Sequence, residues 1–317
     1  KDVNNYYYIC TEDLQKINDI RVVSYPMDYT CGFKHILFSI YNHLTINHGG
    51  GLFNQLLYPF YFKNDFSENR PLCFIVYGYY ITPEYLRYLR KTYTDCKIVK
   101  IHRDLYTNWR RKNPLFTDYD MRTLFDLSLS YDENEAHKYG MLHFNEFESR
   151  IEVPKSQQYP LSDVFFAGHA KDRLEILLSI YDELSMKGLR CQYYLTGVSK
   201  KKRVSKPGIT YGTNPISYRD ILYYSVNSRS ILEINQSNAV GYTSRFLEAV
   251  MYNKKLISNN ITIKKSKFYN PMYIQCFSNI NEIDVNNILN DSIVVDYKYN
   301  DEFSPKNLIT QIDEALS

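Results

Sequence analysis

The stretch "SILEINQSNAVGYTSRFLEAVMYNKKLISNN", residues 230–260, contains two short apolar runs separated by an amphipathic segment. The runs "SILEIN" and "KLISNN" have the length and apolar content of buried strands, and the segment from Ser244 to Tyr252 has the apolar spacing of a helix. A strand, a helix and a second strand in this order form a crossover between parallel strands. The stretch therefore predicts a parallel sheet with helices on its faces, which is the α/β class.

The same alternation recurs along the rest of the chain. Further strands are predicted at residues 20–25, 72–80, 96–102, 123–132, 163–168 and 189–197. Helices are predicted at 33–44, from Pro83 onward, before Gly140, at 171–188 and at 217–228. The polar sequence "RIEVPKSQQYP" at 150–160 interrupts the alternation and is typical of a linker. We therefore expect two Rossmann-like domains, 1–155 and 156–317, with parallel sheets facing across a cleft and a last helix that can pack back on the first domain.

Composition excludes several classes of protein. The net charge of +3 is too small for a general nucleic-acid binder. The six cysteines form no C-x-x-C pair, which argues against a structural metal site or a disulfide framework and fits a reducing cytoplasm. The sequence contains no apolar run of membrane-spanning length and does not begin like a signal peptide. We expect a cytoplasmic protein, and the basic clusters 200–203 and 264–267 are either solvated loops or contacts to an anionic membrane surface.

Two interpretations compete for the helix that follows Gly241. On a helical wheel Ser244, Arg245 and Glu248 fall in one polar sector about 100° wide, with Thr243 at the N-cap position. A solvated face of a surface helix would show this pattern. A ligand site would show it too, because the N-terminus of a crossover helix opens at the carboxyl edge of a parallel sheet, where ligands bind. In that case Arg245 binds a phosphate and Glu248 accepts both ribose hydroxyls.

A second candidate edge follows the strand 163–168. Gly168 ends this strand, and Lys171 and Arg173 begin the next helix in "FFAGHAKDR". Cations are unfavourable at a helix N-terminus unless an anion joins them. The pair therefore either solvates a helix end or, together with Arg245, brackets a diphosphate.

These segments resemble the donor domain of bacterial GT-B glycosyltransferases of the lipopolysaccharide or capsular polysaccharide biosynthesis type. The motifs that carry the resemblance are G-x-x-K-x-R (Gly168, Lys171, Arg173) and G-x-T-x-R-x-x-E-A (Gly241, Thr243, Arg245, Glu248, Ala249). The resemblance spans roughly residues 72–275 and is looser in the N-terminal half. It implies donor-binding roles for these residues and for Tyr242 and Ser244. Val240 occupies the position of the first glutamate of many retaining members, so retaining stereochemistry is not carried over.

The resemblance implies metal-independent transfer of a sugar from a nucleotide-activated donor, such as a UDP-sugar, to a bacterial surface glycan. The acceptor can be lipid-linked, with peripheral contact at the cytoplasmic face of the inner membrane. We expect no cofactor and no bound metal. Two alternatives stay open: a non-catalytic subunit that binds a nucleotide sugar, and another Rossmann-type enzyme such as an epimerase or dehydrogenase, although no G-x-G-x-x-G follows the first strand.

An inverting transferase needs a general base from the N-terminal domain. We favour His102 and Asp28, because each closely follows a predicted strand. Other candidates are His48, Asp104 and Asp132. The D-x-D formed by Asp118 and Asp120 lies in a polar segment and is a weak metal candidate. The segment "HGGGLFNQLLYPFYFK" (48–63) fits either a buried helix after a flexible loop or an acceptor- or lipid-binding patch.

Overall fold

The computed structural model describes residues 4–22, 73–77, 81–235 and 241–317. The described chain forms two compact units. One contains residues 73–77, 81–145 and 308–317, and the other contains residues 4–22 and 146–307. The predicted strand 20–25 lies mostly outside the described residues, and 20–22 are not in a strand. The predicted helix 33–44 and the segment 48–63 also lie outside them.

The first unit is a four-stranded parallel sheet in the order β1-β2-β3-β4. Its strands are β1 (Cys73–Tyr77), β2 (Lys97–His102), β3 (Leu127–Ser130) and β4 (Leu142–His143). Its helices follow the two short N-terminal ones, α1 (Tyr6–Cys10) and α2 (Glu12–Gln15), and are α3 (Pro83–Thr92), α4 (Tyr106–Lys112), α5 (Asp118–Thr123) and α6 (Glu133–Tyr139). Helix α3 begins where the sequence predicts it, because Pro83 fits the first turn and the Thr82 side chain caps it.

The second unit is a six-stranded parallel sheet in the order β10-β9-β8-β5-β6-β7. Its strands are β5 (Ser162–His169), β6 (Cys191–Thr196), β7 (Ile209–Gly212), β8 (Ser228–Glu233), β9 (Lys255–Ser258) and β10 (Ile274–Cys276). Its helices are α7 (Leu174–Met186), α8 (Tyr218–Asn227), α9 (Ser244–Met251) and α10 (Val285–Leu289). Helix α11 (Pro305–Leu316) follows, and its residues from Leu308 onward belong to the first unit. Short 3₁₀ helices occur at Lys171–Arg173, Lys200–Lys202, Ile261–Lys265 and Ile280–Glu282.

The second sheet is covered on both faces by apolar side chains. One cluster joins Leu177, Ile180 and Leu184 of α7 to strand residues such as Tyr193 and Leu232. A second cluster places Phe246 and Val250 of α9 against Ile231 and Leu256. Strands that are buried on both faces are nearly continuous in apolar residues, which is why "DVFFAG" and "SILEI" could be recognised in the sequence.

Two parallel sheets with alternating helices confirm the predicted α/β class with two Rossmann-like units. The division differs in detail from the predicted ranges 1–155 and 156–317. It falls between residues 145 and 146, residues 4–22 belong to the second unit, and residues 308–317 belong to the first. The backbone gives the reason for the N-terminal difference, since Tyr218 N–H donates to Asn4 O at 2.7 Å and Ser149 N–H donates to Cys10 O at 3.0 Å. At the other end, Gln311 Nε2 donates to His143 O at 2.9 Å.

Among the described residues, no helix has the length and apolar character needed to cross a membrane. Among the cysteines that the structure describes, Cys73, Cys96, Cys191 and Cys276 are free thiols.

Candidate functional site

The strand order of the second sheet identifies one edge as the place for a ligand. Strand β5 comes first in this unit and lies in the middle of the sheet. The chain then adds β6 and β7 on one side and returns to add β8, β9 and β10 on the other. At such a reversal the loops after the two central strands diverge and leave a crevice at their carboxyl ends. The loops that follow His169, the last residue of β5, and Glu233, the last residue of β8, therefore border the candidate site.

On the β5 side, Arg173 links the ends of the two central strands. Its guanidinium donates to the backbone oxygens of His169, the last residue of β5, and of Ile234, which follows β8. Burial lowers the pKa of Arg173, and Nε is buried with no hydrogen-bond partner. Arg173 is thus held by the backbone, which leaves it a positioning role at the predicted diphosphate site.

Lys171 lies on the same loop and has a strained backbone. Its φ is 45°, in the left-handed region that side chains other than glycine rarely adopt. Its N–H donates to His169 Nδ1 at 3.2 Å, and its side chain is exposed. Sparsely populated backbone conformations persist where the surrounding structure imposes them, and they cluster at ligand sites. Of the two cations predicted on this loop, Lys171 is the one open to solvent.

On the β8 side lies a carboxylate that sequence reasoning missed. Glu233 is 1% exposed and accepts hydrogen bonds from the hydroxyls of Thr243 and Ser258. Burial raises the pKa of Glu233 above its usual value. The available signal was a single acid at the end of the apolar run "SILE", directly before the candidate loop.

Thr243 joins this carboxylate to helix α9. As predicted, it is the N-cap, and its Oγ1 accepts from Arg245 N–H at 3.2 Å. Gly241, two residues earlier, has φ of 113°, a conformation that favours glycine. Asn260 Nδ2 donates to the oxygen of Gly241 at 2.9 Å, so the loop ends of β8 and β9 are tied together.

The surface interpretation of α9 is wrong, because Glu248 is fully buried. Its carboxylate accepts from Tyr218 Oη at 2.9 Å, from Ser225 Oγ at 3.3 Å and from Arg245 Nη1 at 2.6 Å. Burial raises its pKa to about 7, against the lowering effects of Arg245 and Ser225. The ligand interpretation also changes, since both carboxylate oxygens are used inside the protein. Glu248 anchors Arg245, and the structure gives no support to the predicted contact with ribose.

The two other predicted donor residues on this loop contact the protein itself. Ser244 Oγ lies 3.0 Å from Tyr6 Oη in α1. The ring of Tyr242 stacks on Phe246 with centroids 4.5 Å apart. Gly168, Lys171, Arg173 and Gly241 to Glu248 thus all belong to the second unit, and the predicted motifs meet at the carboxyl ends of its central strands.

The predicted base His102 ends β2 in the first unit and is 2% exposed. Its ring lies edge-on to Tyr106 and Trp109, and neither ring nitrogen has a hydrogen-bond partner. Burial, with a smaller effect of Lys100, lowers the pKa of His102 to about 2. A neutral, enclosed imidazole does not have the access that a general base requires.

Other base candidates have local structural contacts or lie elsewhere. Asp132 caps α6 by accepting from Glu135 N–H at 2.8 Å, and Asp104 accepts from Leu105 N–H at 2.9 Å. Asp28 and His48 lie outside the described residues.

Asp118 and Asp120, the metal candidates, serve helix α5. Asp120 forms a capping box with Thr117 and an ion pair with Arg87. Asp118 pairs with Arg110 at 2.8 Å. Within the part of the chain that the structure describes, no group of three or more His, Cys, Asp or Glu side chains could hold a metal ion.

No family model matches the sequence, and no curated protein matches it. Solved structures resemble it at low identity. One is titled a crystal structure of the GtfA/B complex (9% identity, TM-score 0.41, covering 73% of this chain and 54% of the other). A second is a putative UDP-N-acetylglucosamine 2-epimerase from Listeria monocytogenes, with 9% identity and a TM-score of 0.42. The match covers 78% of this chain and 74% of that protein. A third is the trehalose-6-phosphate synthase OtsA, with 8% identity and a TM-score of 0.44. The match covers 100% of this chain and 81% of that protein. The chain spans about half the length of the first. At these scores the comparison carries no argument about activity.

Proposed function

We propose that this protein is a glycosyltransferase that takes a sugar from a nucleotide-activated donor bound at the carboxyl edge of the second sheet. The observation that supports the proposal is the meeting of two sequence motifs at one reversal point of the sheet. The G-x-x-K-x-R motif begins in the last two residues of β5, and the G-x-T-x-R-x-x-E-A motif follows β8. These strands are neighbours, and a crevice at the carboxyl ends of such strands is the usual ligand site of this architecture.

The chemistry of the edge fits a diphosphate. Lys171 supplies an exposed cation, and the capped N-terminus of α9 supplies a positive dipole end. Arg245 has a side chain that is 14% exposed and is held by Glu248, so its guanidinium is pre-oriented. Positive groups at this place stabilise the nucleoside diphosphate that leaves when the glycosidic bond to the donor breaks. In this scheme Glu248 and Arg173 are positioning residues.

We extend the proposal to the acceptor on the resemblance alone. A bacterial surface glycan, lipid-linked in some cases, accepts the sugar at the cytoplasmic face of the membrane without a bound metal. We propose that the base that deprotonates the acceptor comes from the N-terminal domain predicted from the sequence, with Asp28, which lies outside the described residues, as the remaining favoured candidate.

The experiment is a transfer assay with purified protein and a panel of UDP-, GDP-, CMP- and dTDP-sugars. Release of free nucleotide should occur with one donor, slowly with water and faster with an oligosaccharide acceptor. Arg245→Ala should abolish most of the release, whereas Lys91→Ala, an exposed position in α3, should not. Conversion of the donor sugar without nucleotide release would identify an epimerase. Binding of a donor with no turnover in the presence of acceptors would identify a non-catalytic subunit.

A further inference from the structure

A pocket of about 340 Å³ lies at the edge of the second sheet opposite the candidate donor site. It is lined by the first residues of β5, β8 and β9, namely Ser162, Ser228 and Lys255. Because β8 has six residues at about 3.3 Å each, roughly 20 Å of strand separates this amino-edge pocket from the carboxyl edge. The amino-edge pocket is therefore a separate place in the molecule.

Basic side chains dominate the amino-edge pocket. Its lining includes Lys155, Arg190, Arg229, Lys254 and Lys255. The nearby carboxylates are Asp291 in the lining and Asp163, which both arginines contact. Five cations against two carboxylates leave an excess of three positive charges.

Two of these cations donate hydrogen bonds to carbonyl oxygens at the C-termini of helices. Lys255 Nζ donates to the backbone oxygens of Ile288 and Asn290 at 3.3 and 2.8 Å, at the end of α10. Lys254 Nζ donates to Val226 O at 2.9 Å, near the end of α8. Cations at helix C-termini are favourable, and crossover topology brings these termini to the amino edge of the sheet. Lys254 and Lys255 thus have structural roles in addition to their charge.

The remaining three cations are not explained by helix ends. Arg190 and Arg229 both contact Asp163, whose side chain is 5% exposed, and Arg229 also forms an ion pair with Asp291, whose side chain is 79% exposed. The side chain of Arg190 is 60% exposed, so it remains open to a ligand. Burial acts to raise the pKa of Asp163, but the hydrogen bonds from Arg190 outweigh burial and lower this pKa. Lys155 is exposed and has no ion-pair partner among the described residues. Burial and then the charges of Lys155 and Arg229 lower the pKa of Lys254 to about 8, so these cations repel one another.

We propose that the amino-edge pocket binds a small phosphate-bearing ligand through Lys155, Arg190 and Arg229. A dianionic or more highly charged phosphate would neutralise the excess charge, and arginine forks match the geometry of phosphate oxygens. The size of the pocket is in the range of small-molecule sites and has room for a sugar phosphate. The ligand is either an inorganic phosphate species or a phosphomonoester, since the two share the chemistry that these side chains recognise.

The test is calorimetry with inorganic phosphate, inorganic diphosphate, glucose 6-phosphate and, as the uncharged control, glucose. At physiological salt at least one phosphate-bearing probe should bind saturably and glucose should not. Tighter binding of glucose 6-phosphate than of phosphate would identify a phosphomonoester site, and the reverse would identify an inorganic one. Lys155→Ala should weaken binding about tenfold, the effect of one charged hydrogen bond, and Lys155→Glu should weaken it further.

Lys155 is exposed and has no ion pair with any residue that the structure describes, so both variants should fold normally. Lys91→Ala and Lys91→Glu make the same charge changes on an exposed helix of the first unit and should leave affinity unchanged. The proposal is overturned if no phosphate-bearing probe binds saturably. It is also overturned if Lys155→Glu binds as well as Lys91→Glu, because the anion would then bind elsewhere on the protein.

Discussion

Arg245 donates to Glu248 with 2.6 Å between Nη1 and Oε2, and the two residues are separated by one turn of α9. The side chain of Glu248 is inaccessible to solvent, and that of Arg245 is 14% exposed. Arg245, the residue predicted to bind a phosphate, is therefore connected to the interior of the second unit through Glu248. Substitutions at either residue must be measured for both nucleotide binding and stability, since Arg245 is the proposed phosphate-binding residue and its ion pair with Glu248 is part of the packed interior.

Arg245→Ala should weaken binding of the donor nucleotide by about 1.5–3 kcal/mol, the range for hydrogen bonds to charged groups. It should also lower the free energy of unfolding by about 3 kcal/mol, the lower end of the range for breaking a buried ion pair, because a buried carboxylate loses its cation. Calorimetry and urea denaturation measure the two effects. In a double-mutant cycle with Glu248→Gln, the two stability losses should not add, because both remove the same ion pair. Unchanged nucleotide affinity in folded Arg245→Ala protein would refute the phosphate role.

Glu248 should make stability depend on pH between about 4.5 and 7. Burial raises its pKa in the folded protein from 4.5 to about 7. In that window the folded state holds a proton that the unfolded state has released, so stability from this group is complete below pH 4.5 and is lost as pH rises to 7. Glu248→Gln mimics the protonated form and should lack this loss. From pH 4.5 to pH 7.5 the wild type should therefore lose more unfolding free energy than Glu248→Gln does. An unchanged difference in unfolding free energy between the two proteins contradicts the assignment.

The course of the second sheet could be predicted because its signals are local. Strands β5 and β8 are apolar runs bounded by polar residues, and each begins and ends within two residues of its prediction. Helix α7 ends at Met186, two residues before the predicted end, and begins three residues after the predicted start. Short elements gave weaker signals. Strand β10 has three residues and β4 has two, and neither was predicted, since so few residues show no period.

The contacts of the candidate site could not be predicted, because they are non-local. A helical wheel places Glu248 on a polar sector but does not reveal that Tyr218 and Ser225 of α8 face it. The same applies to His102, whose position after a strand suggested access. Its burial depends on Trp109 and Tyr106, which return over the end of β2. Position along a strand indicates which edge a residue occupies, and only packing decides whether solvent reaches it.

Asp120 should prove to be a structural residue. Asp120→Ala removes one half of the capping box with Thr117 and should lower stability by about 1 kcal/mol, the usual effect of losing a cap. Nucleotide affinity should stay within twofold of wild type by calorimetry. EDTA should likewise leave the rate of sugar transfer intact. Loss of turnover with chelator that manganese restores would assign a metal role to Asp118 and Asp120.

His102→Phe provides a test of stability and of catalysis in one variant. Both imidazole nitrogens are buried without partners, and aromatic rings surround them, so a phenyl ring should fit with a stability change of under about 1 kcal/mol or a small gain. The pKa of about 2 means that His102 stays neutral in the folded protein while the unfolded chain gains a proton below pH 6.5. Wild type should therefore lose stability as pH falls below 6.5, and His102→Phe should lose less.

Since a neutral, enclosed ring cannot accept a proton from an acceptor, the transfer rate of His102→Phe should stay within about threefold of wild type. A fall of a hundredfold or more in folded protein, with donor affinity retained, would restore His102 as the general base.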